Sequence, residues 1–460
     1  MGRNHGFTFW APGALVVLLV LLASSTGHGE VGTGPSHRAE PVVPGRFIVL
    51  MNGAFDPAQV AADHAAIPLH VYRVASRGFA ARLSDSQVNA LRSDPRVNNV
   101  VADRKMTIAA KPGTGGGGTS GETIPTGIRR IDAEGVNATD DIGNTIVAII
   151  DTGIDLDHPD LNISDDCRYN VYGGAPEDGN GHGTHVAGTV AAKAGSGGVR
   201  GVAPGATLCP IKVLDDTGSG AWSDVMAGIE YVTDKRVKFN EKDPAGIDIK
   251  VANMSLGGCA AIVFIWCLAE PPAGNDDCGK VDGTVQDPLH QAICNSTIAG
   301  VVYSVAAGND AANALYFVPA AYPEVITVSA IADYNGLGGG RAKAPRGCNY
   351  GPDDSLASFS NYGETVDIAA PGACILSTYK GGGTKTLSGT SMAAPHVTGA
   401  IAALQPFAVT AGDKDAPRNL AMQALSKKSQ SDVSCGFSGD PDNFHEPLVY
   451  VGQSSSLNCN

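Results

Sequence analysis

The first third of this 460-residue chain has no cysteine: all ten lie between Cys167 and Cys459, and none is spaced as Cys-x-x-Cys, which argues against a zinc site. Positive charge is also short. A formal net charge of −14 argues against a nucleic-acid partner, because such a surface repels phosphates. Long apolar runs are missing too: the strongest, ALVVLLVLLA over residues 14–23, is too short to cross a bilayer comfortably, so no stable membrane association is expected. Aromatic residues are sparse at 6%, yet 43% of the chain is hydrophobic, a globular composition with more than one domain's worth of length. No internal repeat stands out.

What is present begins with an export signal. Arg3 and His5 precede the apolar run and SSTGHG follows it, so residues 1–27 read as a signal peptide cut between residues 23 and 30, and the protein is expected to be secreted and extracellular. An even cysteine count behind such a signal predicts disulfides, with the pairing left open. Cys259, Cys267, Cys278 and Cys294 are bunched as if to staple an insertion, Cys435 and Cys459 are placed to tie down the C-terminus, and Cys209 and Cys374 are either paired or free. Sequons at Asn137, Asn162 and Asn295 are candidate glycan sites, whereas the one at Asn253 lies in a strand pattern and is expected to be buried.

Three segments follow. Residues 41–106 alternate strand and helix patterns: RFIVLM, FDPAQVAADHAA, GFAARL, SDSQVNALRSDP and VNNVVAD, an order that suits a small α+β, ferredoxin-like split β-α-β sheet. Residues 107–123 contain AAKPGTGGGGTSGET, too rich in Gly, Ser and Thr to hold a fold, and read as a flexible linker open to proteolysis. Residues 124–460 alternate short Val- and Ile-rich runs such as TIVAIID, VANMSLG and VVYSVAAG with helical patterns, which predicts an α/β domain with a doubly wound, mostly parallel sheet and helices on both faces.

In such a sheet functional residues gather at the carboxyl ends of strands. Asp151 closes TIVAIID there, and a carboxylate so placed needs a donor or a cation beside it. His182, in GNGHGTHVAGTVAA, is the natural partner, with Gly181 and Gly183 leaving room around its ring; His185 reads as a buried structural histidine. Ser391, in LSGTSMAAPHVTGAIAAL, stands at a helix start where unpaired N–H groups can stabilise an oxyanion. A hydroxyl is a weak nucleophile near neutral pH, so a histidine must take and return its proton while a carboxylate fixes the imidazole tautomer.

The contexts DTGI around Asp151, HGTHVAGT from His182 and GTSMAAPHVTG around Ser391, in the order Asp, His, Ser, resemble the three signature blocks of the subtilisin-like serine proteases, and the segment 41–106 resembles that family's inhibitory propeptide. The resemblance implies a secreted serine endopeptidase, autoprocessed from a zymogen, that hydrolyses peptide bonds through an acyl-enzyme. Asn309 matches the family's side-chain oxyanion donor. The segments Gly218, Ser219, Gly220 and Ser255, Leu256, Gly257 match those that sandwich an extended peptide, so polypeptide substrates are bound by strand addition. Ala306, Ala307 and Gly308 with the Ser255 segment form small uncharged walls, implying broad specificity with an apolar residue before the cleaved bond, while Asp310 and Phe317 border that pocket; Trp222 matches a flap over the pocket for the fourth residue back. A structural Ca²⁺ is implied at Asp367 with the carbonyls of Pro323 and Val325, and a weak or absent second site at Asp160. The propeptide is expected to act as intramolecular inhibitor and folding aid, with the cut between residues 106 and 123, in a monomer. A processing convertase would need acids in the first pocket, where only Asp310 is near, and a catalytically silent domain has no need of Asp151, His182, Asn309 and Ser391 together.

Overall fold

The computed structural model describes residues 42–111, 121–259, 262–263, 266–267, 278–407, 412–427 and 436–452. The signal peptide, most of the Gly-rich linker, Cys435 and Cys459 lie outside them.

β1 (Val42–Met51), α1 (Pro57–Asp63), β2 (Pro68–Tyr72), β3 (Gly78–Arg82), α2 (Asp85–Arg92) and β4 (Val97–Ile108) build an antiparallel sheet in the order β4-β1-β3-β2. The helices start where their caps dictate: the Asp56 carboxylate accepts the Ala58 amide ahead of Pro57, and Ser84 and Gln87 form a reciprocal capping box. The short strand β2, half-exposed and opening on Pro68, was not expected from the sequence because its alternation is too brief to read. Period-two alternation along β1 sorts its side chains: Val49 and Met51 face α1 and α2, while Ile48 and Leu50 join a core shared with the large domain.

That larger fold runs through α3 (Thr126–Arg130), α4 (Asp140–Gly143), β5 (Ile146–Asp151), β6 (Tyr169–Asn170), α5 (His182–Ala191), β7 (Thr207–Lys212), β8 (Ser219–Ala221), α6 (Trp222–Asn240), β9 (Ile249–Met254) and β10 (Leu256–Cys259). Two small hairpins follow, β11 (Ile262–Val263) with β12 (Trp266–Cys267) and β13 (Lys280–Val281) with β14 (Thr284–Val285). After them come α7 (Pro288–Ile298), β15 (Val302–Ala306), β16 (Phe317–Val318), β17 (Ile326–Ala332), β18 (Ser355–Leu356), β19 (Ile368–Pro371), β20 (Ile375–Tyr379), β21 (Gly383–Leu387), α8 (Thr390–Leu404) and α9 (Ala416–Ser426).

The central sheet runs β6-β7-β5-β9-β15-β17-β19, all parallel, with β18 antiparallel on β17. Val147 and Ile149 of β5 pack toward α5 and α8, and Ala148 and Ile150 toward α6 and α7, so both faces are covered and the strands read as continuous apolar runs. This is the doubly wound α/β architecture the sequence predicts. Strand order reverses around β5 and β9, which opens a crevice at their carboxyl ends, where Asp151 lies.

The small sheet lies on α6 and α7 through a largely polar seam. Tyr72 donates to the Ser223 carbonyl at 2.9 Å, Glu230 accepts the amides of Val74 and Ala75 at 2.8 and 2.7 Å, and Asp103 accepts the Ser223 amide at 3.1 Å and Ser223 Oγ at 2.6 Å. Disulfides join Cys167 to Cys209, Cys278 to Cys294 and Cys348 to Cys374, so Cys209 and Cys374 are each paired, though not with one another, and the second bond closes the expected staple. Of the four sequons, Asn137 is exposed; Asn162 spends its amide on Gly205 and Thr207, Asn295 donates to Ala75, and Asn253 is buried as expected.

The C-terminal segment pads the sheet edge, exchanging amide hydrogen bonds between Ala369 and both Pro447 and Val449 at 2.9 Å. It carries Glu446, whose burial pushes its carboxyl up to about 7 from an ordinary 4.5, against a hydrogen bond from Ser329. Between those values the folded chain holds a proton that the unfolded chain has released, so this residue's contribution falls as pH rises through the window and is level above it. Glu446→Gln should therefore gain on the parent by on the order of 1–3 kcal/mol between about pH 5 and pH 8, read as a difference of denaturant midpoints; a pH-independent difference would refute the assignment.

Candidate active site

Asp151 ends β5 fully buried, and His182 is the first residue of α5. His182 Nδ1 lies 2.7 Å from Asp151 Oδ1, which also accepts the Thr152 amide at 2.7 Å. That leaves His182 Nε2 as the free nitrogen, buried and without a hydrogen-bond partner among the described residues. Gly181 begins the helix at φ 104°, and a side chain there would strike Tyr379, so glycine is required.

The junction is organised by a residue that sequence reasoning missed. The buried Asp178 carboxylate accepts Thr152 Oγ1 at 2.8 Å, the Gly181 amide at 2.8 Å, the Thr184 amide at 2.9 Å and Thr184 Oγ1 at 2.6 Å. It caps α5 and ties that helix to the turn after Asp151. Its place four residues before His182 in EDGNGHG was the available signal.

Ser391 is the second residue of α8, buried at that helix's N-terminus. Pro395 has no N–H, so the Ser391 carbonyl loses its helical donor four residues on; Ser255 Oγ supplies one instead at 2.9 Å. Ser391 Oγ in turn donates to the Ser255 carbonyl at 2.9 Å, so proline, which reads as a helix anomaly, locks α8 to the end of β9. α5 and α8 pack side by side on one face of the sheet.

Asn309 Oδ1 accepts the Thr390 amide at 2.9 Å and Thr390 Oγ1 at 3.1 Å, which leaves its NH₂ end as the donor. A second residue missed in the sequence holds this loop. Fully buried Asn361 donates to the Ala307 carbonyl at 2.9 Å and accepts the Asp310 and Ala312 amides at 2.9 and 3.1 Å. Asn361 sits in SNYG with nothing in its spacing to mark it, because its role is to bond a loop about fifty residues earlier.

The crevice is filled by the chain's own segment. β4 runs past the small sheet and pairs antiparallel with β8 on one side, Met106 opposite Gly220 and Thr107 opposite Ser219, and with β10 on the other, Ile108 opposite Leu256 and Thr107 opposite Gly257. Gly218, Ser219, Gly220, Leu256 and Gly257 therefore flank a strand. The Ala109 amide donates to the Ser255 carbonyl at 3.3 Å, the Ser391 amide donates to the Ala109 carbonyl at 3.2 Å, and the Lys111 amide donates to the Ser388 carbonyl at 2.7 Å. A Cβ on Gly389 would fall 2.5 Å from the Ala109 oxygen and 3.3 Å from Asn309 Nδ2, so both crowd the one spot that glycine leaves open.

Ala306 and Ala307 are buried at the end of β15, and the Gly308 amide that follows donates to Thr390 Oγ1 at 3.1 Å. Asp310 is exposed and Phe317 pairs with Cys259 at the rim. Trp222 is buried beneath β4, with the Arg104 guanidinium 4.8 Å above its ring and Met106 in the same cluster. His185 donates to or accepts from no catalytic group: its Nε2 lies 3.0 Å from the Ile375 and Lys385 carbonyls, and burial pushes its pKa down to about 3. It is structural, as read.

The metal donors do not fit the expected ion. Asp367 Oδ1 binds Arg418 Nη2, its Oδ2 accepts the Thr327 amide at 2.9 Å, and the Val325 carbonyl accepts Arg418 Nε at 3.0 Å. A guanidinium thus bonds two of the three groups, Asp367 and the Val325 carbonyl, that were expected to hold Ca²⁺ together with Pro323. At Asp160, Ser196 Oγ and the Val199 amide bond the two oxygens.

Residues 143–437 match the Subtilase family and residues 50–109 the Peptidase inhibitor I9 family. The chain is 36% identical over 344 residues to the subtilisin-like serine protease AsES of Sarocladium strictum, covering 73% of this chain and 72% of that one. It is 33% identical over 406 residues to the cuticle-degrading protease of Metarhizium anisopliae, covering 85% and 88%. The solved structure of a cold adapted subtilisin-like serine proteinase superposes with a TM-score of 0.51 at 29% identity, covering 72% of this chain and 98% of that one.

Because Asn361 places the Asn309 loop without touching a substrate, Asn361→Leu should lower kcat by about 10- to 100-fold with KM changed less than 3-fold. Steady-state hydrolysis of a chromogenic tetrapeptide checks this, and an unchanged kcat would show that the loop holds itself.

Proposed function

Since this chain belongs to the subtilase family, and is a serine endopeptidase carrying its own inhibitor domain, we propose that it is secreted as a monomeric zymogen and matures by cutting its own Ala109–Ala110 bond with Ser391, His182 and Asp151. The observation that carries this reading is the Ser391 amide on the Ala109 carbonyl of a strand held on both edges.

The chemistry follows from the atoms named. A turn about the Ser391 Cα–Cβ bond moves Oγ from the Ser255 carbonyl to His182 Nε2, which takes its proton as Oγ bonds the Ala109 carbonyl carbon. Negative charge on the Ala109 oxygen is met by the Ser391 amide and Asn309 Nδ2. His182 Nδ1–H stays on Asp151, which stabilises the imidazolium without taking its proton. The imidazolium then protonates the Ala110 nitrogen as the C–N bond breaks; water, deprotonated by the same base, adds to the acyl carbon, the C–Oγ ester bond breaks, Ser391 Oγ takes the proton back from His182, and Ala109 leaves as a carboxylate.

The small walls at Ala306, Ala307 and Gly308, and the alanine they face, support a preference for small apolar residues before the cut. Main-chain pairing to β8 and β10 makes the rest of the recognition tolerant of sequence. After cleavage the small domain remains bound through Glu230 on the Val74 and Ala75 amides, Asp103 on Ser223 and Tyr72 on the Ser223 carbonyl, and so inhibits until it is removed. Relatives with extracellular names support secretion, and Asn137 is the sequon best placed to carry a glycan.

Residues 31–460 expressed with Ser391 intact should yield a mature chain whose N-terminal sequence starts at Ala110, AAKPGTG in the precursor shortened by one residue, whereas Ser391→Ala should remain full length. Processing that persists in the alanine form in a protease-free host, or a first cut elsewhere, would overturn this reading. Asn309→Leu should slow turnover of a peptide substrate by about 10²- to 10³-fold, a magnitude established in a subtilisin, with KM little changed.

A further inference from the structure

We propose that Arg418 is the resident cation of the Asp367 site, so that this enzyme keeps by a covalently tethered guanidinium what a bound calcium ion would otherwise supply. The carboxylate is mostly buried and both of its oxygens are engaged, Oδ1 by Arg418 Nη2 and Oδ2 by the Thr327 amide at 2.9 Å. Arg418 Nε takes the Val325 carbonyl at 3.0 Å. Calcium needs about six to eight oxygens at roughly 2.3–2.6 Å, and here the oxygens it would use already face a positive group. A planar fork that bonds a carboxylate and a neighbouring carbonyl at once is what arginine provides and lysine does not.

The same stretch supplies a second cation to the same loop. Lys414 Nζ lies 2.8 Å from Glu324 Oε1, and His290 Nε2 lies 2.8 Å from Glu324 Oε2. Burial works against ionisation of Glu324, yet these two partners hold its carboxyl down to about 2. Residues 322–327 are thus fastened by Lys414 and Arg418, on either side of the start of α9, where Pro417 is buried and fixes the helix entry. Because the cations are part of the chain, they cannot be removed by dilution or chelation.

The test uses the full secreted chain carrying Ser391→Ala, which removes self-digestion as a variable. Its Tm should shift by less than about 1 °C between excess EDTA and millimolar Ca²⁺, or by an amount that Asp367→Asn leaves unaltered, which assigns any response to other residues. Arg418→Gln should lower Tm in EDTA by about 2–5 °C, the range expected when one partner of a part-buried pair is removed from a chain of this length. Ca²⁺ should then restore part of that loss, and Asp367→Asn should abolish the restoration. Arg418→Lys, which keeps the charge but not the fork, should fall between. A calcium-induced rise in Tm in the parent that Asp367→Asn eliminates would overturn the proposal, as would an Arg418→Gln protein as stable in EDTA as the parent; should that variant fail to fold, the parent and Arg418→Lys measurements decide.

Discussion

The ladder that holds residues 105–109 between β8 and β10 sets the register of everything around it. A slip of one residue would turn Met106 out of its buried place near Trp222 and move the Ala109 carbonyl off the Ser391 amide. Main-chain groups carry this pairing, so it depends little on which side chains the strand bears. β4 continues into a folded sheet whose other face is buried on α6 and α7, so the inhibitor arrives already extended and adds polar anchors that a free peptide lacks.

Buried polar groups explain much of the remaining geometry, since each must find a partner inside the protein. Asp178 answers the open amides of α5, Asn361 answers the loop after β15, and Ser255 answers the carbonyl that Pro395 leaves exposed. Asp178 and Asn361 bond no residue of the strand in the crevice among the described residues, whereas the Ser255 carbonyl also takes the Ala109 amide. Together they fix where Asp151, His182, Asn309 and Ser391 stand, which is what chemistry at one carbonyl requires.

Tethered cations recur away from the crevice. Arg130, itself buried, sits 2.8 Å from Asp354 and 3.1 Å from Asp333 beneath the loop 333–354. Arg418 and Lys414 do the like for residues 322–327. The cations oppose burial to different extents: burial still pushes Asp333 up to about 7 and Asp367 upward against their arginines, whereas Glu324 is held down.

The sequence by itself determined the doubly wound α/β class, because continuous Val and Ile runs alternating with helical periods admit little else. It also marked Asp151, His182 and Ser391, since each lies in a local stretch several residues long, and it marked the strand-forming segments that flank the crevice. Only the tertiary structure decided what depends on residues far apart in the chain: that Ala109 presents the carbonyl facing Ser391, that Asp178 and Asn361 organise the site, which cysteines join, and that Arg418 meets Asp367 from fifty-one positions away. Local pattern reports which element a residue enters and which face it takes. Whether a carboxylate finds a calcium ion or a guanidinium is settled by which side chain the completed fold brings against it.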